Sequence, residues 1–109
     1  MSKLLQENSL FLRFFLKADK AQKLAILATL SNAQTRVLTE IFHNLWQIPH
    51  ESDSVRGLVQ QKRATLLKLG NSRAKINSMK TIFWHHRRQV IEILQLFRQP
   101  LEALLSSAE

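Results

Sequence analysis

The stretch Met79-Lys80-Thr81-Ile82-Phe83-Trp84-His85-His86-Arg87-Arg88-Gln89-Val90-Ile91-Glu92-Ile93-Leu94-Gln95-Leu96-Phe97 decides the fold class. Met79, Phe83, His86, Val90, Ile93 and Phe97 recur at alternating steps of four and three residues, the a/d pattern of a helix with one apolar seam. A seam of this kind has to be covered by another helix. That helix can belong to the same chain or to a second copy, and spacing does not choose between them. The six residues are therefore candidate core and, equally, the candidate interface of a homodimer.

Working outward, the rest of the chain reads the same way. Only two Gly and two Pro interrupt 109 residues, which favours long helices. The expectation is an all-α fold, a single domain over residues 1–109, built as a compact bundle of about five helices with a long C-terminal one. The first helix runs from Lys3 to Lys17, with Ser2 as cap and Leu4, Leu5, Phe11, Phe14 and Phe15 toward the core. Asp19 with Gln22, and Ser31 with Gln34, are capping-box pairs that open the second and third helices. In the third, Ala33, Val37, Leu38, Ile41, Phe42 and Leu45 make one apolar face, and Pro49 ends the helix after about Gln47. Ser52 or Asp53 caps a fourth helix carrying Val55, Leu58, Val59, Leu66 and Leu69. Gly70 is expected to close it as a left-handed cap. A polar connector, Asn71 to Asn77, precedes the last helix, which runs from Ser78 to about Arg98. Leu101 to Glu109 is a frayed turn or a short docking helix.

Two classes are set aside. The run Leu10 to Leu16 is broken by Arg13 and followed by Lys17, Asp19 and Lys20, so an amphipathic helix is expected rather than a secretory signal. No stretch reaches the roughly 20 apolar residues of a membrane span. The absence of cysteine removes disulfides and thiolate metal sites, which suits an intracellular protein.

Charge is the functional signal. Arg56, Lys62, Arg63, Lys68, Arg73, Lys75, Lys80, Arg87 and Arg88 fall in residues 54–91 with no Asp or Glu among them. The formal +8 of the whole chain belongs to this basic half. Any single cation in it is most simply a solvated surface charge. The missing acids are harder to dismiss, because soluble surfaces ordinarily mix signs. On a helical wheel Lys80, Arg87 and Arg98 share a line flanked by Arg88, and Trp84 and Ile91 project into the same sector. Cations for phosphates and an indole for stacking or wedging are what a nucleic-acid-binding helix offers. The candidate contact residues are Arg56, Lys62, Arg63, Arg73, Lys75, Lys80, Trp84, Arg87 and Arg88, with DNA placed ahead of RNA as the partner. No motif reads base sequence, so contacts to the phosphate backbone are expected. With about five phosphates neutralised, log affinity should fall against log salt with a slope of about −4 to −5.

Other chemistry finds little footing. His85 and His86 diverge on a helix, His43 and His50 flank a proline break, and no cysteine completes a metal set. His86 reads as a seam histidine and His85 as an exposed part of the basic face. Serines stand without a paired His and Asp, no glycine-rich phosphate loop exists, and Glu40, Glu92 and Glu102 are isolated. A non-enzyme without metal, cofactor or small-molecule substrate is expected.

The stretch Gln22-Lys23-Leu24-Ala25-Ile26-Leu27, Leu30-Ser31-Asn32-Ala33-Gln34, Leu38-Thr39-Glu40-Ile41-Phe42-His43-Asn44-Leu45 and Ile48-Pro49, followed by Gln61-Lys62-Arg63 and Leu66-Leu67-Lys68-Leu69, resembles a family. It is that of small basic helical proteins encoded by Maverick/Polinton-like and adintovirus-type DNA viruses. The resemblance covers residues 22 to about 90 and implies a virion-associated or genome-packaging role, in the host nucleus or the virion. The family often carries a Gly-Gly pair after its last basic run. Here His85-His86-Arg87-Arg88-Gln89-Val90 continues as helix, so proteolytic maturation is not expected. A second function class stands beside nucleic-acid binding: a helical protein–protein module, either a homodimeric adaptor or a capsid-associated minor protein. Its contacts would come from the Met79 to Phe97 seam and the Phe11/Phe14/Phe15 cluster.

Overall fold

A computed structural model describes residues 3–45 and 53–107. The expected Ser2 and Ser52 caps, the end of the third helix near Gln47 and Pro49, and His50 lie outside the described residues. Among the described residues every regular element is an α-helix: α1 (Lys3–Glu7), α2 (Ser9–Lys17), α3 (Lys20–Ala28), α4 (Asn32–Asn44), α5 (Asp53–Gln61), α6 (Arg63–Leu69), α7 (Ile76–His85), α8 (Arg87–Leu96) and α9 (Arg98–Ser107).

Nine helices thus replace the five expected, and four breaks make the difference. Asn8 (φ −110°, ψ 20°), Lys62 (−94°, 13°), His86 (−101°, 25°) and Phe97 (−94°, 9°) sit between helical and extended backbone. One hydrogen bond of helical span enters each break and one leaves it. At His86 these are His86 N–H to Ile82 O (2.9 Å) and Val90 N–H to His86 O (2.9 Å). The chain therefore bends without coming apart. A straight helix from residue 76 through 107 would be about 48 Å long at 1.5 Å per residue. That is more than the 34 × 33 × 29 Å of the fold, so α7 to α9 cannot run on as one rod. The single long C-terminal helix expected from Ser78 to about Arg98 is corrected to two segments, α7 and α8, bent at His86, and the short docking helix expected beyond it is α9.

Both capping boxes form as the sequence indicates. Gln22 N–H donates to Asp19 Oδ1 (2.8 Å) while Asp19 N–H donates to Gln22 Oε1 (3.1 Å). Ser31 and Gln34 exchange the equivalent pair at 3.1 and 2.9 Å. Each box satisfies two of the amide donors that a helix start leaves open.

α4 is the central element, burying Val37, Leu38, Ile41 and Phe42, with Leu45 just past its end. Phe42 meets Phe83 of α7 at 6.0 Å between ring centroids, which ties the two halves of the chain together. Ala33, expected on this face, is exposed. Phe14 is also corrected: it is 58% exposed beside Leu10 at 83%, while Leu12, Phe15 and Leu16 supply the buried face of α2.

Gly70 is buried and required, for a reason other than the one expected. Its φ is −97°, so it is no left-handed cap. A Cβ there would lie 2.6 Å from the His43 backbone nitrogen and 2.7 Å from its Cα. Glycine permits the end of α6 to touch the backbone of α4. The Gly70 carbonyl lies 3.0 Å from His43 Nδ1, and because a carbonyl only accepts, Nδ1 carries the proton.

The last segment docks. Pro100 sits in the first turn of α9, where no amide donor is missed. Leu101 and Leu105 are buried, and the Arg13 guanidinium donates to the Leu105 carbonyl (3.3 Å), joining α2 to α9. Among the described residues no helix is long and apolar enough to cross a membrane.

Candidate nucleic-acid interface

The break at His86 builds the most organised part of the basic half. Because α7 stops there, its last carbonyls lose their helical partners. The Arg87 side chain turns back and donates to the Trp84 carbonyl (3.0 Å), with its guanidinium 4.6 Å from the centroid of the Trp84 ring. A planar cation stacked on an indole keeps its remaining N–H groups in fixed directions. Trp84 itself is 42% exposed. Beside this pair, Arg87, Arg88, Ile91 and Glu92 of α8 face Lys20 and Leu24 of α3 across a groove of about 460 Å³.

The remaining cations are distributed differently. Lys75 lines a second concavity, about 570 Å³, with Arg36, Glu40, His43, Asn71 and Ser72. Arg73 beside it donates its backbone N–H to Asn71 Oδ1 (3.2 Å), which shapes the connector. Lys80 points to α4, donating to Asn32 Oδ1 (2.8 Å). Arg56, Lys62 and Arg63 ride on α5, its break and α6, and no hydrogen bond or ring contact links them to the Arg87–Arg88 groove.

The expected line of Lys80, Arg87 and Arg98 does not exist, because breaks at His86 and Phe97 separate its members. Arg98 is moreover paired with Glu102 at 3.0 Å. Among the described residues, none of the nine cations of residues 54–91 forms an ion pair with a carboxylate. Arg56, Arg63, Lys68, Arg73, Lys75 and Arg88 are exposed, and Lys62, Lys80 and Arg87 half-buried.

The seam went inward. Met79, Phe83, Val90, Ile93 and Phe97 are buried within the one chain, and His86 is half-buried at the break. As candidate interface residues these five are therefore corrected to core: with the chain folded this way, they present no surface to a second copy. His86 meets His85 edge-on at 4.9 Å. Burial first, then the neighbouring His85 and Lys68, lowers the His86 pKa below its ordinary 6.5. Among the described residues no three His, Asp or Glu side chains gather as a metal site.

Sequence reasoning missed Lys20 and Leu24. They lie one helical turn apart on α3, far from the acid-free window, and only the packing of α3 on α8 brings them to Arg88. It also missed Lys23, which is 4% exposed. Its ammonium donates to Gln95 Oε1 (3.2 Å) and lies 5.9 Å from the Phe15 ring centroid. Burial, then the charge of Arg98, lowers its pKa from the ordinary lysine value.

Comparison with protein-family models, with curated proteins and with solved structures returned no match. The functional reading therefore stands on the residues and their geometry.

Proposed function

We propose that this chain binds nucleic acid through the phosphate backbone without selecting a base sequence, with condensation or packaging of a viral genome as its setting. The observation that carries this reading is the set of nine Lys and Arg in residues 54–91 that, among the described residues, meet no carboxylate. Unpaired cations at a surface attract a polyanion by counterion release, and that attraction is indifferent to sequence. Arg87 is the member best prepared for the role, being held on Trp84 and its carbonyl. Arg88 and Lys20 extend its reach along the groove. The outlying Arg56, Lys62, Arg63, Arg73 and Lys75 supply field and weaker contacts.

Titration of a random-sequence oligonucleotide over a salt series tests this directly. Exchanging Arg87 and Arg88 for Glu together should weaken binding by more than about tenfold and flatten the salt slope. Arg88 is exposed and Arg87 is half-buried against Trp84, outside the apolar core, so far-UV circular dichroism should change little. Tight binding by the double variant would remove these two residues from the interface.

A second reading has its own observation. Leu10 and Phe14, one turn apart on α2, are the two most exposed large apolar groups at that end of the molecule, which suits a protein–protein contact. Light scattering over a concentration series distinguishes self-association there from a monomer.

A further inference from the structure

We infer that the groove between α3 and α8 accepts one unstacked nucleotide of a single-stranded nucleic acid, the base lying on Leu24 and Ile91 and the phosphate on Lys20 and Arg88. This rests on the proposed polyanion binding and narrows it to a class of strand. A cationic surface alone would serve duplex, single strand or a sulfated polysaccharide equally. The groove is more than cationic. Leu24 and Ile91 are half-buried aliphatic groups that line it together with the cations, and the space, about 460 Å³, has the scale of a small-ligand pocket.

The outside of a duplex is sugar and phosphate, and gains nothing from two aliphatic side chains. To reach them a paired base would have to leave its stack, at a cost a single strand does not bear. A base from a single strand covers Leu24 and Ile91 with its flat face while its phosphate meets Lys20 or Arg88. Glu92, on the same groove, repels phosphate and so favours placement of the phosphate toward the cations. Its carboxylate also accepts a hydrogen bond from an exocyclic amine of the base. Trp84, against which the groove residue Arg87 rests, exposes part of its indole, on which a neighbouring base could stack.

Fluorescence anisotropy with four probes of matched length and ionic strength decides the matter: a mixed-sequence single strand, the same sugar-phosphate strand without bases, the duplex, and heparin. The base-bearing strand should bind about tenfold more tightly than the abasic one, and more tightly than the duplex. Leu24→Ser with Ile91→Ser should erase that advantage while leaving heparin affinity unchanged. Ile91 packs against the core and Leu24 does not, so Leu24→Ser alone serves if the double variant is unfolded by circular dichroism. Equal affinity for the abasic strand, or a preference for duplex, would overturn the inference and leave general polyanion binding standing. Failure of all four probes to bind would overturn both.

Discussion

The helices of the first half and those of the second begin in different ways. α3 and α4 each open with a reciprocal side-chain cap, Asp19/Gln22 and Ser31/Gln34. α6, α7 and α8 open with no side-chain cap at all. Two of them start at bends, Lys62 and His86, where the preceding helix hands on directly. The first half thus holds both reciprocal caps, although α2 opens without one at the Asn8 bend, and α6, α7 and α8 of the second half hold none. Charge follows the same division. Acids are interspersed among the bases before residue 45, whereas residues 54–91 contain bases alone. Local chemistry is settled in one half and held open in the other.

The strongest way to break this contrast is at Gly70, where the second half touches the backbone of the first. Gly70→Ala drives a methyl group into His43 and should cost about 3 kcal/mol, read by urea unfolding. Gly57→Ala is its counterpart: exposed in α5 with nothing within 4 Å, it should stabilise by about 1 kcal/mol. Equal effects at the two glycines would show that the α4–α6 approach is not what fixes Gly70. At the local end of the comparison, Asp19→Ala and Ser31→Ala should each cost about 1 kcal/mol. The smallest effect comes from His86. Its folded pKa lies below the unfolded 6.5, so the folded state resists protonation. Stability should be constant above pH 6.5 and fall as pH drops through that value toward the folded pKa. His86→Gln should abolish that decline in urea midpoints measured between pH 7.5 and 5. An unchanged decline would assign it to other groups.

The same division explains what could be read in advance. The all-α class, both capping boxes and the existence of an apolar seam were legible because periodicity and capping are properties of a few neighbouring residues, but the seam's burial within this chain was not. The breaks at Lys62, His86 and Phe97 were not, since no capping or turn residue marks them; at Asn8 the side chain, which donates to the Leu4 carbonyl (2.9 Å), is a local signal that could have been read. Gly70 was recognised as special, but the reason depended on a backbone approach made by α4, which no local pattern reports. Phe14 is exposed for a related cause: two stripes on α2 carry large apolar groups, and the packing of α1, α3 and α9 around it decides which one is covered. At the candidate interface, the cations were countable from the sequence. Their grouping was not, as Arg98 going to Glu102 and Lys20 joining Arg88 both demonstrate.

The docking of α9 against α2, fastened by Arg13 on the Leu105 carbonyl, bears on biosynthesis. Leu12, Phe15 and Leu16 leave the ribosome early, yet part of their shelter is made by α9, far later in the chain. That apolar strip stays partly uncovered until Leu101 and Leu105 emerge, so the α2–α9 contact closes only after all the helices between them have been made.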